Sequence, residues 1–135
     1  MRILGIDYGT KYTGLALGQD ETTSPLEIIK SSSNIFIVEK IVTIIKQEFI
    51  ELVVLGIPYH KDKKQENITK DFLKILREKI SIPIEVVDEK NTSKDVFDLN
   101  FEKHKKIKKL KKTIHSKSAE EIIKNYFLAK PSKNL

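Results

Sequence analysis

Runs of apolar residues divide the first third of this chain into three short strands. They are predicted at about residues 2–7, 12–19 and 23–31, because apolar positions recur there with turn residues between them. The first turn, 8–11, contains a glycine. Since the connections are short, we expect each of these strands to lie antiparallel to the next.

A helix and then a strand buried on both faces are predicted next. A helix is predicted after Ser33 or Asn34, either of which is a suitable N-cap. Its apolar face is expected to contain Val38, Ile41, Ile44, Ile45 and Phe49. The uninterrupted apolar run 52–57 is typical of a strand buried on both faces, as in a parallel sheet, and Pro58 ends it.

The rest of the chain continues this alternation. Residues 59–66 are polar and lysine-rich and predict a loop, while Pro83 precedes a fifth strand at 84–87. Further helices are expected at 67–80, from near Thr92, and from 116–118.

This order of elements predicts the fold class. Strands reached through helical crossovers should lie parallel to the first strand. We therefore expect an α/β fold: a mixed five-stranded sheet, with three antiparallel strands plus two parallel ones and helices on both faces. Residues 1–130 are expected to form a single domain and residues 131–135 a frayed tail.

Composition narrows the class of protein. Hydrophobic residues make up 39% and charged residues 33%, as in a soluble globular protein. No apolar run approaches the roughly 20 residues of a membrane span, and no signal-peptide pattern is present. The absence of cysteine excludes disulfides and thiolate metal sites. We expect a cytoplasmic protein without a membrane partner.

Charge is distributed unevenly along the chain. Residues 1–60 carry a net charge of −2, whereas residues 61–135 carry +8. This asymmetry suggests that the C-terminal half meets a polyanion. The alternative is that a lysine-rich sequence simply uses lysine on its surface.

Asp7 is the first candidate functional residue. It ends the first strand, and a charge at a buried strand end needs a partner because desolvation is costly. Asp88 and Glu89 end the fifth strand, and functional sites form at the carboxyl ends of parallel strands. Close carboxylates repel unless a cation neutralises them, and Mg²⁺ prefers oxygen ligands. The alternative is that Asp88 and Glu89 merely end a strand and begin a loop.

Four motifs, in order, resemble those of one family, the YqgF family of ribonuclease H-like proteins. The opening motif is similar to residues 5–16, and the family's Gly-Leu-Pro-Leu loop to residues 55–59. Its Asp-Glu-Arg-x-Thr-Thr motif resembles residues 88–93, and its final Asp-Ser-x-Ala-Ala helix resembles residues 115–119. The family comprises nucleases of Holliday junctions or of pre-16S ribosomal RNA.

The resemblance implies a metal site of three acids, of which this chain retains two. Asp7 and Glu89 match, whereas His115 stands at the position of the third acid. Imidazole binds metal but adds no negative charge. We expect His115 to precede a helix N-terminus, where the dipole would favour its neutral form. The predicted catalytic and metal-binding residues are thus Asp7, Glu89 and His115, with one or two Mg²⁺ or Mn²⁺ ions.

A basic segment precedes His115. Seven of the ten residues in 103–112 are lysines, and an apolar stripe with helical spacing runs through the segment. It would form a clamp on the nucleic-acid backbone or, alternatively, a solvated helix face or a partly disordered arm. The predicted nucleic-acid-binding residues are Lys11, Lys90, Thr92, Lys105, Lys106, Lys108, Lys109, Lys111 and Lys112. Residues expected to support the site from its loops are Gly9, Thr10, Gly56, Pro58 and Tyr59. Tyr8 and Tyr59 are candidates for base stacking or for ordinary packing.

The sequence therefore predicts a metal-dependent endonuclease of structured nucleic acid, acting on the 5′ end of pre-16S rRNA. The expected partners are an rRNA precursor or branched DNA and ribosome-assembly factors, with the protein a monomer or weak homodimer. One alternative is a Holliday junction resolvase-like DNA nuclease. Another is a nucleic-acid-binding scaffold weakened in catalysis by His115. The turn after Asp7 also occurs in actin-like and sugar-kinase-like ATPases, but those need two such domains.

Overall fold

The computed structural model describes residues 1–59, 62–89 and 107–129, and for 107–116 it describes the backbone alone. Five strands form one sheet: β1 (Arg2–Asp7), β2 (Tyr12–Gln19), β3 (Thr22–Lys30), β4 (Leu52–Ile57) and β5 (Ile84–Asp88). Their spatial order is β3-β2-β1-β4-β5. The first three strands are antiparallel, and β4 and β5 run parallel to β1. The predicted mixed sheet is confirmed.

In the part of the chain that the structure describes, three helices cover this sheet: α1 (Asn34–Gln47), α2 (Lys63–Lys79) and α3 (Ile107–Ala129). One buried cluster joins α1 and α2 to one face through Leu4, Ile6, Val53, Leu55, Ile41 and Phe72. The other joins α3 to the opposite face through Ile3, Val54, Val87, Ala119, Ile122 and Ile123. Helices on both faces are therefore confirmed. In the described part of the chain, no helix is long and apolar enough to cross a membrane.

The first helix agrees with its predicted cap but not with its whole predicted stripe. Ser33 is the N-cap, and its side chain accepts a hydrogen bond from the Phe36 N–H at 3.2 Å. Phe49 was expected on the buried face, and this expectation is wrong. The helix ends at Gln47, and Phe49 has φ of 53° and is 76% exposed. The left-handed residue turns the chain back toward β4.

The second helix begins four residues earlier than predicted, so residues 63–66 are helical rather than part of a loop. Asp62 caps the helix by accepting a hydrogen bond from the Lys64 N–H at 2.9 Å. Glu66 then forms ion pairs with Lys63 and Lys70 along the same helix. Ion pairs at these spacings and a cap stabilise a first turn that has no apolar periodicity.

The last helix is longer than predicted. It was expected to begin at 116–118, with His115 before its N-terminus, but α3 already includes Ile107. His115 therefore lies inside the helix, and the expectation that an N-terminal dipole favours its neutral form is wrong. The helix predicted from Thr92 lies outside the described residues.

Candidate active site

The three parallel strands end at one border of the sheet, which we call the carboxyl edge. Ile6 pairs with Leu55 of β4, and Ile57 of β4 pairs with Asp88 of β5. The last residue of β1, Asp7, therefore lies near the last residues of β4 and β5. Its side chain is almost fully buried, with 4% of its surface exposed. A carboxyl group is thus built into the sheet where ligands of open α/β sheets bind.

Strand alternation places two predicted acids on the same face of the sheet. Ile3 faces α3, so Asp7, four residues later in the same strand, faces α3 as well. On β4 this face is occupied by Gly56, where an added Cβ would lie 2.6 Å from Cδ1 of Ile122. The same added Cβ would lie 3.5 Å from Cβ of Glu89. Asp7 and Glu89 thus flank Gly56 from the two neighbouring strands.

Gly56 separates the two acids without filling the space between them. Neighbouring strands lie about 4.8 Å apart, so residues two strands apart have Cα atoms about 10 Å apart. Side chains of aspartate and glutamate can converge across that distance when the residue between them has no side chain. The spacing is suited to two carboxylates that approach a shared ligand.

A backbone hydrogen bond holds Glu89 at this position. Its N–H donates to the carbonyl oxygen of Ile57 at 2.9 Å. The parallel β4–β5 pairing thus extends one residue beyond β5. Since Glu89 is partly buried, its carboxylate begins from an ordered backbone rather than from a free loop.

Helix α3 covers the face of the sheet on which Asp7 and Glu89 lie. An added Cβ at Gly5 would lie 2.6 Å from both the carbonyl oxygen of Ala119 and Cγ1 of Ile123, and one at Gly18, which pairs with Ile3, would also meet Ile123. His115 is one turn before Ala119 in this helix, and its side chain is not among those described.

Ser118 is a buried polar residue that the sequence did not single out. It is 2% exposed, and among the described residues its Oγ has no hydrogen-bond partner. Ser118 lies one helical turn before Ile122, the residue that contacts Gly56. A buried hydroxyl without a partner costs on the order of 1–3 kcal/mol, so it marks a position where a ligand or water would be stabilising. Its signal in the sequence is weak, because serine is common near helix starts.

These donors fit a hard divalent cation. Two carboxylates on one face and a buried hydroxyl on the covering helix are oxygen ligands of the kind that Mg²⁺ and Mn²⁺ prefer. Within the described ranges, no cluster of three or more His, Cys, Asp or Glu side chains could hold an ion. The predicted third ligand, His115, has its side chain outside those ranges.

The turn after Asp7 is held by a side chain that the prediction omitted. Thr13 is fully buried, and its Oγ1 bonds the N–H and the carbonyl oxygen of Gly9 at 3.5 and 3.4 Å. Thr10 and Lys11 follow Gly9 and are exposed. Lys11 is therefore available to a ligand at the carboxyl edge, with its Nζ 5.7 Å from the Tyr12 ring centroid.

Tyr8 packs inside the protein. Its ring stacks on Phe72 with a centroid distance of 4.3 Å, and its hydroxyl donates to Oδ1 of Asn34 at 2.6 Å. Burial is the largest influence on this phenol and raises its pKa. Of the two readings of Tyr8, ordinary packing agrees with the structure.

The structure describes the remaining predicted binding and supporting residues in less detail. Lys90, Thr92, Lys105 and Lys106 are outside the described residues, and Lys108, Lys109, Lys111 and Lys112 have only their backbone described, within α3. Pro58 is half-buried, and Tyr59 is exposed beside β4.

Comparison with known proteins identifies the family. Residues 1–129 match the RuvX family, described as Holliday junction resolvase. A candidate pre-16S rRNA nuclease of Colwellia psychrerythraea is 31% identical, and the alignment covers 93% of this chain and 88% of that protein. One from Shewanella oneidensis is 34% identical over 93% of this chain and 92% of its own length.

A solved structure supports the fold. The fowlpox virus Holliday junction resolvase superposes with a TM-score of 0.57 at 16% identity, covering 96% of this chain and 99% of that one. This likeness confirms the predicted ribonuclease H-like fold. The family match confirms the resemblance to YqgF proteins and, at the level of the family, the prediction of a nuclease. The chain belongs to the RuvX family of Holliday junction resolvase-like nucleases.

Proposed function

We propose that this protein is a metal-dependent endonuclease that cleaves phosphodiester bonds in structured nucleic acid, with the 5′ end of pre-16S rRNA as its substrate. The observation that carries the proposal is the placement of Asp7 and Glu89 on one face, on either side of Gly56. The names of the relatives, nucleases of pre-16S rRNA, support the choice of substrate.

In this proposal Asp7, Glu89 and His115 hold Mg²⁺ or Mn²⁺, as one ion or two. When bound, such an ion would stabilise charge on the phosphate and make water a stronger nucleophile. The protein supplies the geometry. Burial of Asp7 excludes water around one carboxylate, and the Glu89 hydrogen bond to Ile57 orders the other. Ordered groups lose little freedom when a ligand binds.

His115 makes this site less negative than one of three acids. It belongs to α3, the helix that covers Asp7 and Glu89, and it stands within a helical turn of Ala119. A neutral imidazole would complete the ligand set without balancing a second positive charge. We therefore expect weaker binding of a second ion than three carboxylates would give.

Positive charge would hold the substrate. Lys11 is exposed at the carboxyl edge, and the predicted basic residues before His115 would contact phosphates. Ribosome-assembly factors are proposed as further partners, the protein being a monomer or weak homodimer. A cytoplasmic location follows from an rRNA substrate.

One observation favours a second function. His115 replaces the acid of the resembling family motif, so this chain could bind nucleic acid as a scaffold with little catalysis. A DNA junction is the other substrate to test, since the family is described by that activity.

A panel of variants tests these proposals. Purified wild-type protein, Asp7→Asn, His115→Asp and His115→Ala are incubated with a pre-16S rRNA fragment and with a four-way DNA junction, with Mg²⁺, Mn²⁺ or EDTA. We expect metal-dependent cleavage of the rRNA by the wild type and a loss of at least about 100-fold in Asp7→Asn, because a metal ligand is removed. His115→Asp should raise the rate and His115→Ala should lower it.

Asp88→Asn is the matched control. Asp88 precedes Glu89 and, by strand alternation, faces the opposite side of the sheet. Its variant should cleave at nearly the wild-type rate. Binding without cleavage by the wild type would favour the scaffold, and cleavage of the junction alone would replace the rRNA substrate by DNA. Equal rates for both His115 variants and the wild type would remove His115 from the mechanism.

A further inference from the structure

An exposed aromatic ring stands at the carboxyl edge. Tyr59 follows β4 and is 40% exposed, whereas the ring of Tyr8 is already stacked on Phe72. The Tyr59 N–H donates to the carbonyl oxygen of Ile57 at 2.9 Å, which closes a tight turn around Pro58. The backbone of this ring is therefore fixed although its side chain reaches solvent.

A lysine is held over the Tyr59 ring. Nζ of Lys70 lies 5.5 Å from the ring centroid, within the range of a cation–π contact. The same Nζ donates to the Glu66 carboxylate at 2.7 Å, and Nζ of Lys63 is 3.3 Å from that carboxylate. The Glu66 side chain is 7% exposed, while those of Lys70 and Lys63 are 46% and 77% exposed. We call Tyr59, Lys63, Glu66 and Lys70 the aromatic platform.

Glu66 restricts the positions of the lysine side chains in the aromatic platform. An exposed lysine samples many rotamers, whereas a buried carboxylate bonded to Nζ restricts Lys70 to the vicinity of the ring. With two lysines on one carboxylate, the group keeps a net positive charge. A ring beside a cationic surface is the arrangement that binds single-stranded nucleic acid, where bases stack and phosphates pair with lysine.

The platform lies next to a proposed catalytic acid. The Ile57 carbonyl oxygen accepts hydrogen bonds from both Tyr59 and Glu89, each at 2.9 Å. The two backbone nitrogens are therefore no more than about 6 Å apart. Tyr59 and Glu89 therefore leave the carboxyl edge from adjacent backbone positions, with the ring beside α2 and the acid on the face covered by α3.

We propose that the aromatic platform stacks an unpaired base of the substrate strand beside the phosphodiester bond to be cut. This inference rests on the proposed nuclease function and deepens it: the substrate at the cleavage position is single-stranded or splayed, not a continuous duplex. In a duplex the base faces are already stacked on their neighbours and cannot meet the ring.

Binding without cleavage tests the platform. The full-length protein is titrated in EDTA into a fluorescein-labelled 12-nucleotide RNA, single-stranded or annealed to its complement, with affinity read from anisotropy. We expect Tyr59→Ala to weaken binding of the single strand roughly 5- to 150-fold, the range of one lost stacking contact. Binding of the duplex should change less than about twofold, and Tyr59→Phe should retain most of the single-strand affinity because it keeps the ring.

Phe127→Ala is the matched control. Phe127 is equally exposed, at 41%, but lies near the far end of α3. Its variant should bind both probes as the wild type does, and thermal unfolding by circular dichroism checks that all variants fold. The proposal is overturned if Tyr59→Ala binds the single strand unchanged, if it weakens both probes equally, or if Tyr59→Phe is as weak as Tyr59→Ala.

The platform and the nuclease can fail separately. Tyr59-dependent binding by a protein that never cleaves would retain the platform and refute the nuclease. Metal-dependent cleavage, together with single-strand binding that does not depend on Tyr59, would retain the nuclease and refute the platform.

Discussion

Asp7 and Glu66 are both buried carboxylates near the carboxyl edge, but their surroundings differ in kind. Glu66 is neutralised within its own helix by Lys63 and Lys70, at 3.3 and 2.7 Å. Asp7 ends a strand on the face it shares with Glu89, across Gly56. The spacing of residues along α2 therefore explains how Glu66 is neutralised, whereas the topology of the sheet determines the position of the Asp7 carboxyl group.

Glu66 should make stability depend on pH in acid. Its hydrogen bond from Lys70 is the largest influence and lowers its pKa below the ordinary value of 4.5, so the unfolded chain binds this proton more readily than the folded one. The stabilisation is thus present above that ordinary pKa and is lost as the pH falls through the lower folded pKa. We expect urea midpoints of the wild type to fall more steeply below about pH 4.5 than those of Glu66→Gln.

The exposed Glu78 on the same helix supplies the control, because Glu78→Gln removes a carboxylate without touching the lysine pairs. Its acid profile should follow the wild type. If Glu66→Gln shows the wild-type pH dependence as well, the ion pairs do not form in solution.

At the scale of residues, the sequence predicted the positions of Asp7 and Glu89 but not the roles of the buried residues Ser118 and Glu66. Asp7 and Glu89 follow from strand ends, and the alternation of side chains puts them on one face. Ser118 carries no such signal, because its burial depends on how α3 lies across the sheet. Glu66 could not be paired with Lys70 while residues 59–66 were interpreted as a loop.

Close approach between α3 and the sheet is the main feature at the scale of elements. A Cβ added at Gly5 would lie 2.6 Å from the backbone oxygen of Ala119. A Cβ at Gly18 would first meet Cγ2 of Ile123 at 2.9 Å. Neither glycine has a positive φ. They are therefore required by space rather than by backbone conformation.

Gly5→Ala should consequently destabilise the protein by about 2 kcal/mol or more, because the backbone of α3 itself must shift. Gly18→Ala should cost less than about 1 kcal/mol, since a side-chain methyl can move. Urea unfolding measures both values. Equal losses for the two variants would contradict the close approach of α3 at Gly5.

Strands were predicted more accurately than helix starts, for a physical reason. Each strand is an apolar run bounded by turn residues, and β1, β2 and β4 have the predicted limits. The first turn of α2 is polar, so its apolar periodicity begins only after the helix has begun. In α3, apolar positions with helical spacing extend back to Ile107, but they were attributed to the basic segment rather than to the last helix. A cap and ion pairs mark the start of α2, and these are weak signals in a lysine-rich chain.

At the scale of the whole molecule, most of the sheet and most of the positive charge come from different parts of the chain. Residues 1–60, with net charge −2, supply four of the five strands, while residues 61–135 carry +8. The central sheet is thus nearly neutral in its first part, and the excess of lysine belongs to later segments. Such an excess of positive charge favours a polyanionic partner for these later segments.

Salt dependence of RNA affinity should locate that charge. Replacing Lys105, Lys106, Lys108 and Lys109 by Gln should reduce the slope of log Kd against log salt by up to about 3, because each lost phosphate contact removes somewhat less than one unit. As a control, Lys46→Gln with Lys79→Gln changes lysines at the C-terminal ends of α1 and α2, away from the carboxyl edge. An unchanged slope in the fourfold variant would place the contacts elsewhere.

The shared acceptor at Ile57 has a practical consequence for engineering. One oxygen atom anchors both the residue proposed to grip a base and the residue proposed to take part in cleavage. Mutagenesis libraries that vary the Pro58 turn will alter both properties at once. Selectivity and turnover should therefore prove inseparable in such libraries, and a graft onto another scaffold must transplant both segments together.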